Sequence, residues 1–153
     1  MINNLENNIT AKNLKCPCCN EGYFREDFEN VFNEFLNKLD DSKDKIHYVE
    51  GFRCSYYNEQ MDGDKNSPHL FGYAIDFHFD NKENILNIYN IAKMYFSRIG
   101  LYINHNKKTY MHVDMDETRG YLYWVKYNNQ YLYFKTYVDF ENWINVQFKD
   151  LKI

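Results

Sequence analysis

The stretch SPHLFGYAIDFHF, residues 67–79, runs from a polar loop into a segment with the alternation of a β-strand. From residue 72 onward, the large apolar side chains share one face of an extended chain: Tyr73, Ile75, Phe77 and Phe79. The opposite face carries Ala74, Asp76 and His78. This period of two predicts a strand over residues 72–79, with an apolar face for the core and a polar face that holds titratable groups.

Helical periodicity predicts one helix on each side of this strand. Apolar residues recur three and four positions apart over residues 25–40, and again over residues 82–99, where Gly100 supplies a stop signal. Residues 60–68 are rich in polar and turn-forming residues, which predicts a loop. Short β-compatible segments predict strands over residues 46–52, 101–103 and 109–115.

The last part of the chain is rich in tyrosine and predicts a hairpin followed by a helix. Residues 121–127 and 131–137 flank the turn signal NNQ, residues 128–130, and residues 139–150 have helical spacing. The rings of this aromatic hairpin can stack on a sugar or a peptide, or they can pack the last helix against the sheet. The order of elements predicts an α+β fold with a small antiparallel sheet flanked by helices.

Length, charge and hydropathy narrow the functional classes. A chain of 153 residues fits one domain, with a motif-bearing core over residues 14–120 and the hairpin and helix over residues 121–153. The net charge of −4, with both signs interspersed, argues against a nucleic-acid-binding face. No run of about 20 apolar residues exists for a membrane span, and residues 1–15 lack an apolar signal-peptide core. We expect a monomer that starts in the cytoplasm.

Three side chains on non-helical segments form a candidate metal site. His69 lies in the loop, Asp76 lies on the polar face of the following strand, and His112 lies on a later strand whose polar face Asp114 shares. Two imidazoles and one carboxylate are typical of catalytic zinc sites, in which three protein ligands leave a fourth position for water. The set suits Zn²⁺ as a cofactor, although a single histidine is more often a hydrogen-bonded core or surface residue than a metal ligand.

Four cysteines form a second candidate cluster, with three of them in one tetrapeptide: Cys16, Cys18, Cys19 and Cys54. A chain without a signal peptide usually keeps its thiols reduced. The C-x-C-C spacing departs from standard zinc knuckles. A metal site, a disulfide and partly buried free thiols are therefore three open interpretations of these residues.

Four segments of the chain resemble one family of enzymes. SPHLFGYAID, residues 67–76, resembles the S-x-H-x-x-G-x-A-x-D motif of zinc D-alanyl-D-alanine carboxypeptidases and related phage endolysins. YMHVD, residues 110–114, resembles their aromatic-x-His-x-Asp strand. EGFRC, residues 50–54, is similar to their S-G-Y-R-C segment, and LKCPC, residues 14–18, is similar to a cysteine-bearing segment near the start of many members.

The resemblance implies the hedgehog/D-alanyl-D-alanine peptidase fold and a zinc peptidase that hydrolyses a peptide bond in peptidoglycan stem peptides. It implies zinc ligation by His69, Asp76 and His112, and a role for Arg53 in binding the substrate carboxylate or carbonyl oxygen. Ser67 would support the ligand loop. The resemblance covers both carboxypeptidases and endopeptidases, and includes phage-type lysins that are released to the cell wall.

The chain departs from the family pattern at the catalytic base. Many relatives have an acid or a histidine three positions before the last zinc histidine, where this chain has Thr109. Asp114 is the first substitute, as base or as a carboxylate that orients a ligand, and His78 is the second. Glu50, which replaces the family's serine, and His105 are more distant options.

The missing acid leaves two rival functions open. The first is a zinc-binding but inactive module that acts as a binding or structural protein. The second is a metal-binding protein centred on the four cysteines.

Overall fold

A six-stranded sheet flanked by helices makes up the described part of the chain, residues 14–42, 46–79, 84–103 and 109–150, in the computed structural model. The helices are α1 (Glu26–Ser42), α2 (Ser55–Gln60), α3 (Ile85–Ala92) and α4 (Tyr137–Asp150). The strands are β1 (Ile46–Glu50), β2 (Ala74–Phe79), β3 (Arg98–Ile103), β4 (Tyr110–Asp114), β5 (Tyr123–Tyr127) and β6 (Gln130–Phe134). Their order across the sheet is β1-β2-β4-β3-β5-β6, which confirms the α+β class.

The sheet is mixed, so the expectation of an antiparallel sheet is wrong for one pairing. Strand β3 runs parallel to β5, whereas the other pairings among the described strands are antiparallel. The reason is that β3 lies between β4 and β5 in the sheet. The chain reverses direction between β4 and β5, and β3 is already antiparallel to β4, so β5 must run parallel to β3.

One face of the sheet packs against the helices and forms the core. Helix α1 presents three fully buried rings at helical spacing, those of Phe28, Phe32 and Phe35, and the last two contact the ring of Phe77 on β2. Each fully buried ring or aliphatic side chain contributes about 1.5–3 kcal/mol of hydrophobic stabilisation. The apolar set predicted on β2 lies on this face, so the opposite, polar face remains available for a site.

The predicted helix over residues 82–99 is wrong beyond α3. The helix ends near Ala92, and Ile99 and Gly100 belong to β3, where they pair with β4. Gly100 therefore does not terminate a helix. Its missing side chain makes room for Trp124, because a Cβ there would lie 2.2 Å from Cε2 of the indole. Residues 80–83, at the start of the predicted helix, lie outside the described residues.

Helix α2 lies where no helix was expected. Its N-cap is Cys54, whose Sγ accepts a hydrogen bond from the backbone N–H of Tyr57 at 3.4 Å. Cysteine is outside the usual N-cap set of Ser, Thr, Asp and Asn, so the sequence contains no ordinary start signal at this point.

The C-terminal elements confirm the predicted hairpin and closing helix. Asn128 and Asn129 connect β5 to β6 with φ of 49° and 62°, which is the left-handed geometry of a tight hairpin turn. Helix α4 buries Phe140 and Ile144 against the sheet, while the side chain of Phe148 lies outside the described set. Within the described ranges, none of the helices is long and apolar enough to cross a membrane.

Candidate metal centre

The polar face of the sheet brings the three predicted metal ligands together. Asp76 on β2 lies directly opposite His112 on β4, because the two strands pair in antiparallel register. Directly opposed residues project from the same face, so both side chains meet on the polar side. His69 reaches the same point from the single 3-10 turn that precedes β2.

The turn Pro68–Phe71 sets the position of His69. Ser67 caps the start of the turn, and its Oγ accepts a hydrogen bond from the backbone N–H of His69 at 3.4 Å. Gly72 ends the turn with φ of +74°, and a Cβ there would also lie 2.5 Å from the ring of Tyr23. The serine, the proline and the glycine of this motif therefore build the turn that carries the ligand.

The outer nitrogen of each histidine is held by an acceptor. Nδ1 of His69 lies 2.7 Å from the carbonyl oxygen of Gly51, and Nε2 of His112 lies 2.6 Å from Oδ2 of Asp114. Because carbonyl and carboxylate oxygens only accept, both outer nitrogens carry the hydrogen. Each imidazole therefore directs its inner nitrogen, Nε2 of His69 or Nδ1 of His112, towards Asp76.

The inner atoms of the cluster converge in a way that requires a cation. Oδ2 of Asp76 lies 3.3 Å from Nε2 of His69, and Oδ1 lies 2.8 Å from Nδ1 of His112. Lone pairs that face one another at these distances repel unless protons or a metal ion lie between them. The three candidate ligand atoms all lie within 4.8 Å of one another, and all three residues are buried.

One buried atom in this cluster has no hydrogen bond. Nε2 of His69 forms none with any of the described residues, including Asp76. A buried polar atom without a partner lowers the stability of the fold by about 1–3 kcal/mol. A ligand that binds Nε2 would compensate for this loss. Two imidazole nitrogens and a carboxylate oxygen are the ligand set of catalytic zinc sites. Hydrogen bonds that fix the outer nitrogens are also typical of such sites, so the residues fit that ion.

Electrostatics inside the cluster keep it charged when no metal is bound. Burial alone would raise the pKa of Asp76, but the charges of His69 and His112 and the hydrogen bond from His112 hold it well below its usual range. Burial likewise would lower the pKa of His112, whereas hydrogen bonds to Asp114 and Asp76 raise it to about 9. The carboxylate is thus ionised and ready to bind a cation.

Asp114 lies behind His112 and is fully buried. Its Oδ2 accepts hydrogen bonds from His112 and, at 2.7 Å, from Nη1 of Arg98. Its Oδ1 accepts from the backbone N–H of Asp116 at 2.8 Å. Both carboxylate oxygens therefore already accept hydrogen bonds. The carboxylate contacts His112 on the side that faces away from Asp76, as expected for a residue that orients a metal ligand.

Arg53 lies beside Asp76 and Glu50 at the edge of the cluster. Its Nη2 lies 2.5 Å from Oε2 of Glu50 and 3.7 Å from Oδ2 of Asp76, while Nη1 donates to Oδ1 of Asn58 at 3.2 Å. Glu50 is the direct cross-strand neighbour of Asp76, so the two carboxylates share a face. Burial would lower the pKa of Arg53, but Glu50 and Asp76 raise it, and the guanidinium stays charged.

His78 and Thr109 lie outside the cluster of candidate ligands. His78 is two residues beyond Asp76 on the same face, and its ring packs on that of His47 with centroids 5.0 Å apart. Thr109 is buried at the start of β4. His105 lies outside the described residues.

A cleft of about 420 Å³ opens above the candidate metal ligands. Alternate side chains of the aromatic hairpin project from opposite faces, so some rings face the cleft and others face the core. Trp124, Tyr131 and Tyr133 line the cleft, whereas Tyr123, Tyr127 and Phe134 pack towards α4 and the core. The packing interpretation is confirmed for one face of the hairpin, and stacking on a substrate stays a prediction for the face that lines the cleft. Stacked rings of Tyr102 and Tyr110, with centroids 4.4 Å apart, also line the cleft.

Two arginines of the cleft were not anticipated from the sequence. Arg98 falls inside the predicted helix, and its buried guanidinium lies 4.7 Å from the ring centroid of Trp124. Arg119 lies in a loop and bridges Asp64 and Asp116 at 2.7 and 3.1 Å, which ties the loop before the 3-10 turn to the loop after β4. Asp64 lies far from Arg119 in sequence, and Asp114 lies far from Arg98, so these two pairings form only in the folded chain.

Comparison with known proteins identifies one family. The family model described as Peptidase M15 matches residues 7–114, which include all three candidate ligands, Arg53 and Asp114. No curated protein and no solved structure matches the chain significantly. The matched range covers most of the chain and both motif segments on β2 and β4. The chain therefore belongs to the peptidase M15 family, the zinc peptidases of the D-alanyl-D-alanine carboxypeptidase and endolysin type.

Proposed function

We propose that this protein is a zinc-dependent peptidase that hydrolyses a peptide bond in the stem peptides of peptidoglycan. One observation carries the proposal: in the buried cluster of His69, Asp76 and His112, the inner nitrogens face a carboxylate, and one of them has no hydrogen-bond partner among the described residues. Membership of the peptidase M15 family supports the reaction class. The peptidoglycan substrate is the extension we propose.

We also assign the chain to the hedgehog/D-alanyl-D-alanine peptidase fold. The support is the placement of the ligands, with two on adjacent antiparallel strands and one on the turn that precedes the first of these strands. Helices α1, α3 and α4 pack on the opposite face, and the site-bearing face opens to the cleft.

The residues of the centre prepare it for the ion. His69 and His112 would offer their inner nitrogens, and Asp76 would offer a carboxylate oxygen. A bound zinc ion supplies Lewis-acid chemistry, since it acidifies a water molecule and polarises a substrate carbonyl. Gly51 and Asp114 hold the outer nitrogens, which fixes the tautomer and the orientation of both rings.

Arg53 is suited to bind the substrate at the edge of the centre. Its guanidinium is held by Glu50 and Asn58 beside Asp76, and its Nε has no hydrogen-bond partner within the described part of the chain. A guanidinium keeps its charge and binds carboxylate oxygens with two donors. Arg53 would therefore hold a terminal carboxylate or a carbonyl oxygen that gains negative charge during attack.

Glu50 is the acid that the geometry favours as the proton acceptor. It neighbours Asp76 across the sheet, and its Oε1 has no hydrogen-bond partner among the described residues, in contrast to the occupied oxygens of Asp114. Glu50 Oε1 would take a proton from the attacking water and return it to the leaving amine. Asp114 would act through His112 as a positioning residue, and His78 would lie too far along β2 to take part.

The aromatic wall of the cleft supports a substrate larger than a dipeptide. Tyr131 and Tyr133 are half-exposed on β6, and their rings lie almost parallel with centroids 6.0 Å apart. Flat exposed rings offer apolar faces to the chain of a stem peptide or to the sugar that bears it. The ammonium group of Lys126, which lies 5.2 Å from the ring centroid of Tyr131 and lines the cleft, complements carboxylates of peptidoglycan.

The proposal is tested by zinc content and hydrolysis on the same preparations. Wild type should contain zinc in the centre and cleave isolated peptidoglycan, whereas His69→Ala should lose both that zinc and the cleavage. Clearing of cell-wall suspensions indicates an endopeptidase, while release of the terminal D-alanine from a pentapeptide indicates a carboxypeptidase. Wild type that binds zinc in the centre but cleaves neither substrate would support the inactive binding module. That alternative is suggested by Thr109, which stands where many relatives have the catalytic base.

A further inference from the structure

A second cluster of metal-ligand atoms lies outside the centre described above. The Sγ atoms of Cys16, Cys19 and Cys54 all lie within 4.8 Å of one another. Cys16 is only 1% exposed, Cys54 is half-buried and Cys19 is exposed. The fourth cysteine, Cys18, is also exposed and forms a side-chain contact with Cys54. Two segments that lie far apart in sequence thus place three thiols together, with Cys18 beside Cys54.

The backbone near Cys16 forms a closed turn that presents these thiols. The N–H of Cys16 donates to the carbonyl oxygen of Glu21 at 2.7 Å, and the N–H of Asn20 donates to the carbonyl oxygen of Cys16 at 2.9 Å. Asn20 has φ of 60°, the left-handed value that lets the chain turn back on itself. The turn holds Cys16 and Cys19 on the side that faces the start of α2.

Backbone N–H groups point at the sulfur atoms of the cluster. The N–H of Cys54 donates to Sγ of Cys16, and the N–H of Tyr57 donates to Sγ of Cys54, both at 3.4 Å. Such donors favour the thiolate, which is the form that binds metal ions.

We propose that Cys16, Cys19 and Cys54 bind a structural zinc ion, with Cys18 as the nearest fourth ligand. Thiolates that converge repel one another unless a cation lies among them. Zinc–sulfur bonds of about 2.3 Å in a tetrahedral site place the sulfurs about 3.8 Å apart, a spacing that fits the separations in this cluster. Sulfur-only ligation with no open position suits a structural role, in contrast to the nitrogen and oxygen set of the first centre.

The position of this cluster suggests that the second ion stabilises the segment that supports His69. Cys54 directly follows the segment that supports His69, in which the carbonyl oxygen of Gly51 accepts from Nδ1 and the N–H of Arg53 donates to the carbonyl oxygen of His69 at 3.1 Å. A zinc ion on the cysteines would tie the N-terminal turn to this segment. It would hold the wall of the first centre in place without contacting a substrate.

The test is metal content of the full-length protein, purified with a thiol reductant. Wild type should hold two zinc ions per chain, and His69→Ala and Cys19→Ser should each hold one. The double variant should hold none. Cys19 is the useful cysteine because it is exposed, so its replacement leaves the core intact, and His69→Ala is the reciprocal control.

Cobalt substitution separates the two sites by spectroscopy. Wild type and His69→Ala should show thiolate-to-cobalt charge-transfer absorption in the near ultraviolet, and Cys19→Ser should lose it. Zinc content in Cys19→Ser equal to that of wild type would overturn the proposal. Titration that finds fewer than four thiols in protein purified without reductant would also overturn it, in favour of a disulfide.

Discussion

Oδ2 of Asp114 lies 2.6 Å from Nε2 of His112 and 2.7 Å from Nη1 of Arg98, so one buried carboxylate oxygen joins a candidate zinc ligand to a buried arginine. The guanidinium pairs with the carboxylate, and the carboxylate accepts the hydrogen that the imidazole carries on Nε2. Nδ1 is then the nitrogen left for the metal. Two strands must be in register for this arrangement, because Asp114 and His112 lie on β4 and Arg98 lies opposite Asp114 on β3.

Asp114→Asn should weaken zinc binding at the first centre by roughly 10- to 100-fold, because the neutral amide orients His112 less firmly and leaves Arg98 without its counter-charge. The affinity is measured by competition with a chelator, on protein whose fold is checked by circular dichroism. Asp139→Asn, at an exposed position in the first turn of α4, is the control and should bind zinc like wild type. Equal affinities in the two variants would remove the positioning role.

Glu50→Gln should lower kcat by about 10²- to 10⁴-fold while zinc content stays unchanged, since the amide cannot accept a proton. The control is Glu59→Gln, at an exposed position on α2, which should leave kcat unaltered. The assay is hydrolysis of the wall substrate under saturating conditions. If Glu50→Gln turns over like wild type, another group must move the proton.

The stability of the metal-free protein should fall as the pH rises through 9. The pKa of His112 is raised from 6.5 to about 9 in the folded chain, so the stabilisation by its carboxylate partners is full below about pH 6.5 and is lost above 9. The shift corresponds to about 3 kcal/mol. The measurement is urea denaturation in the presence of a chelator from pH 6 to 10.

The contribution of His112 is isolated by comparison with His112→Gln. Other groups, such as the thiol of Cys16, titrate in both proteins and cancel in the difference. The difference in unfolding free energy between wild type and variant should shrink with rising pH. A difference that stays constant or grows would contradict the sign of the shift.

Gly100→Ala should destabilise the protein by about 1–3 kcal/mol, because the added Cβ would overlap the indole of Trp124. The displaced ring would also lose the hydrogen bond that its Nε1 donates to the hydroxyl of Tyr102 at 3.0 Å. Urea denaturation followed by tryptophan fluorescence measures the effect. Gly120→Ala is the matched control, since a Cβ at Gly120 meets nothing within 4 Å. Equal midpoints would show that the sheet accommodates the methyl group.

Tyr133→Ala should raise KM by roughly 2- to 10-fold with little change in kcat, as expected for a ring that contacts the substrate away from the reacting bond. Tyr137→Ala removes an equally exposed ring outside the cleft and should leave KM unchanged. Equal KM values for the two variants would assign the aromatic wall to packing alone.

Local pattern was enough to predict most of the elements, whereas the candidate ligand set depended also on the resemblance of residues 67–76 and 110–114 to family motifs. Alternation on β2 and β4 placed Asp76 and His112 on polar faces, and the spacing of apolar residues predicted α1. These features depend on periods of two and 3.6 residues, which appear in the sequence itself. The helix prediction is wrong beyond α3. Ile99 continues the helical spacing and Gly100 matches a helix stop signal, but in the structure both residues belong to a strand that pairs with β4.

The sequence by itself determined which residues are candidate metal ligands: two histidines and an aspartate on strands and a turn, and four cysteines in two segments. Only the tertiary structure decided what each one contacts. Strand register places Asp114 opposite Arg98 and Glu50 opposite Asp76. Gly100 lies in β3, where Trp124 packs against it. The physical reason is that hydrogen bonds and ion pairs act over a few ångströms, between residues that many positions of sequence separate.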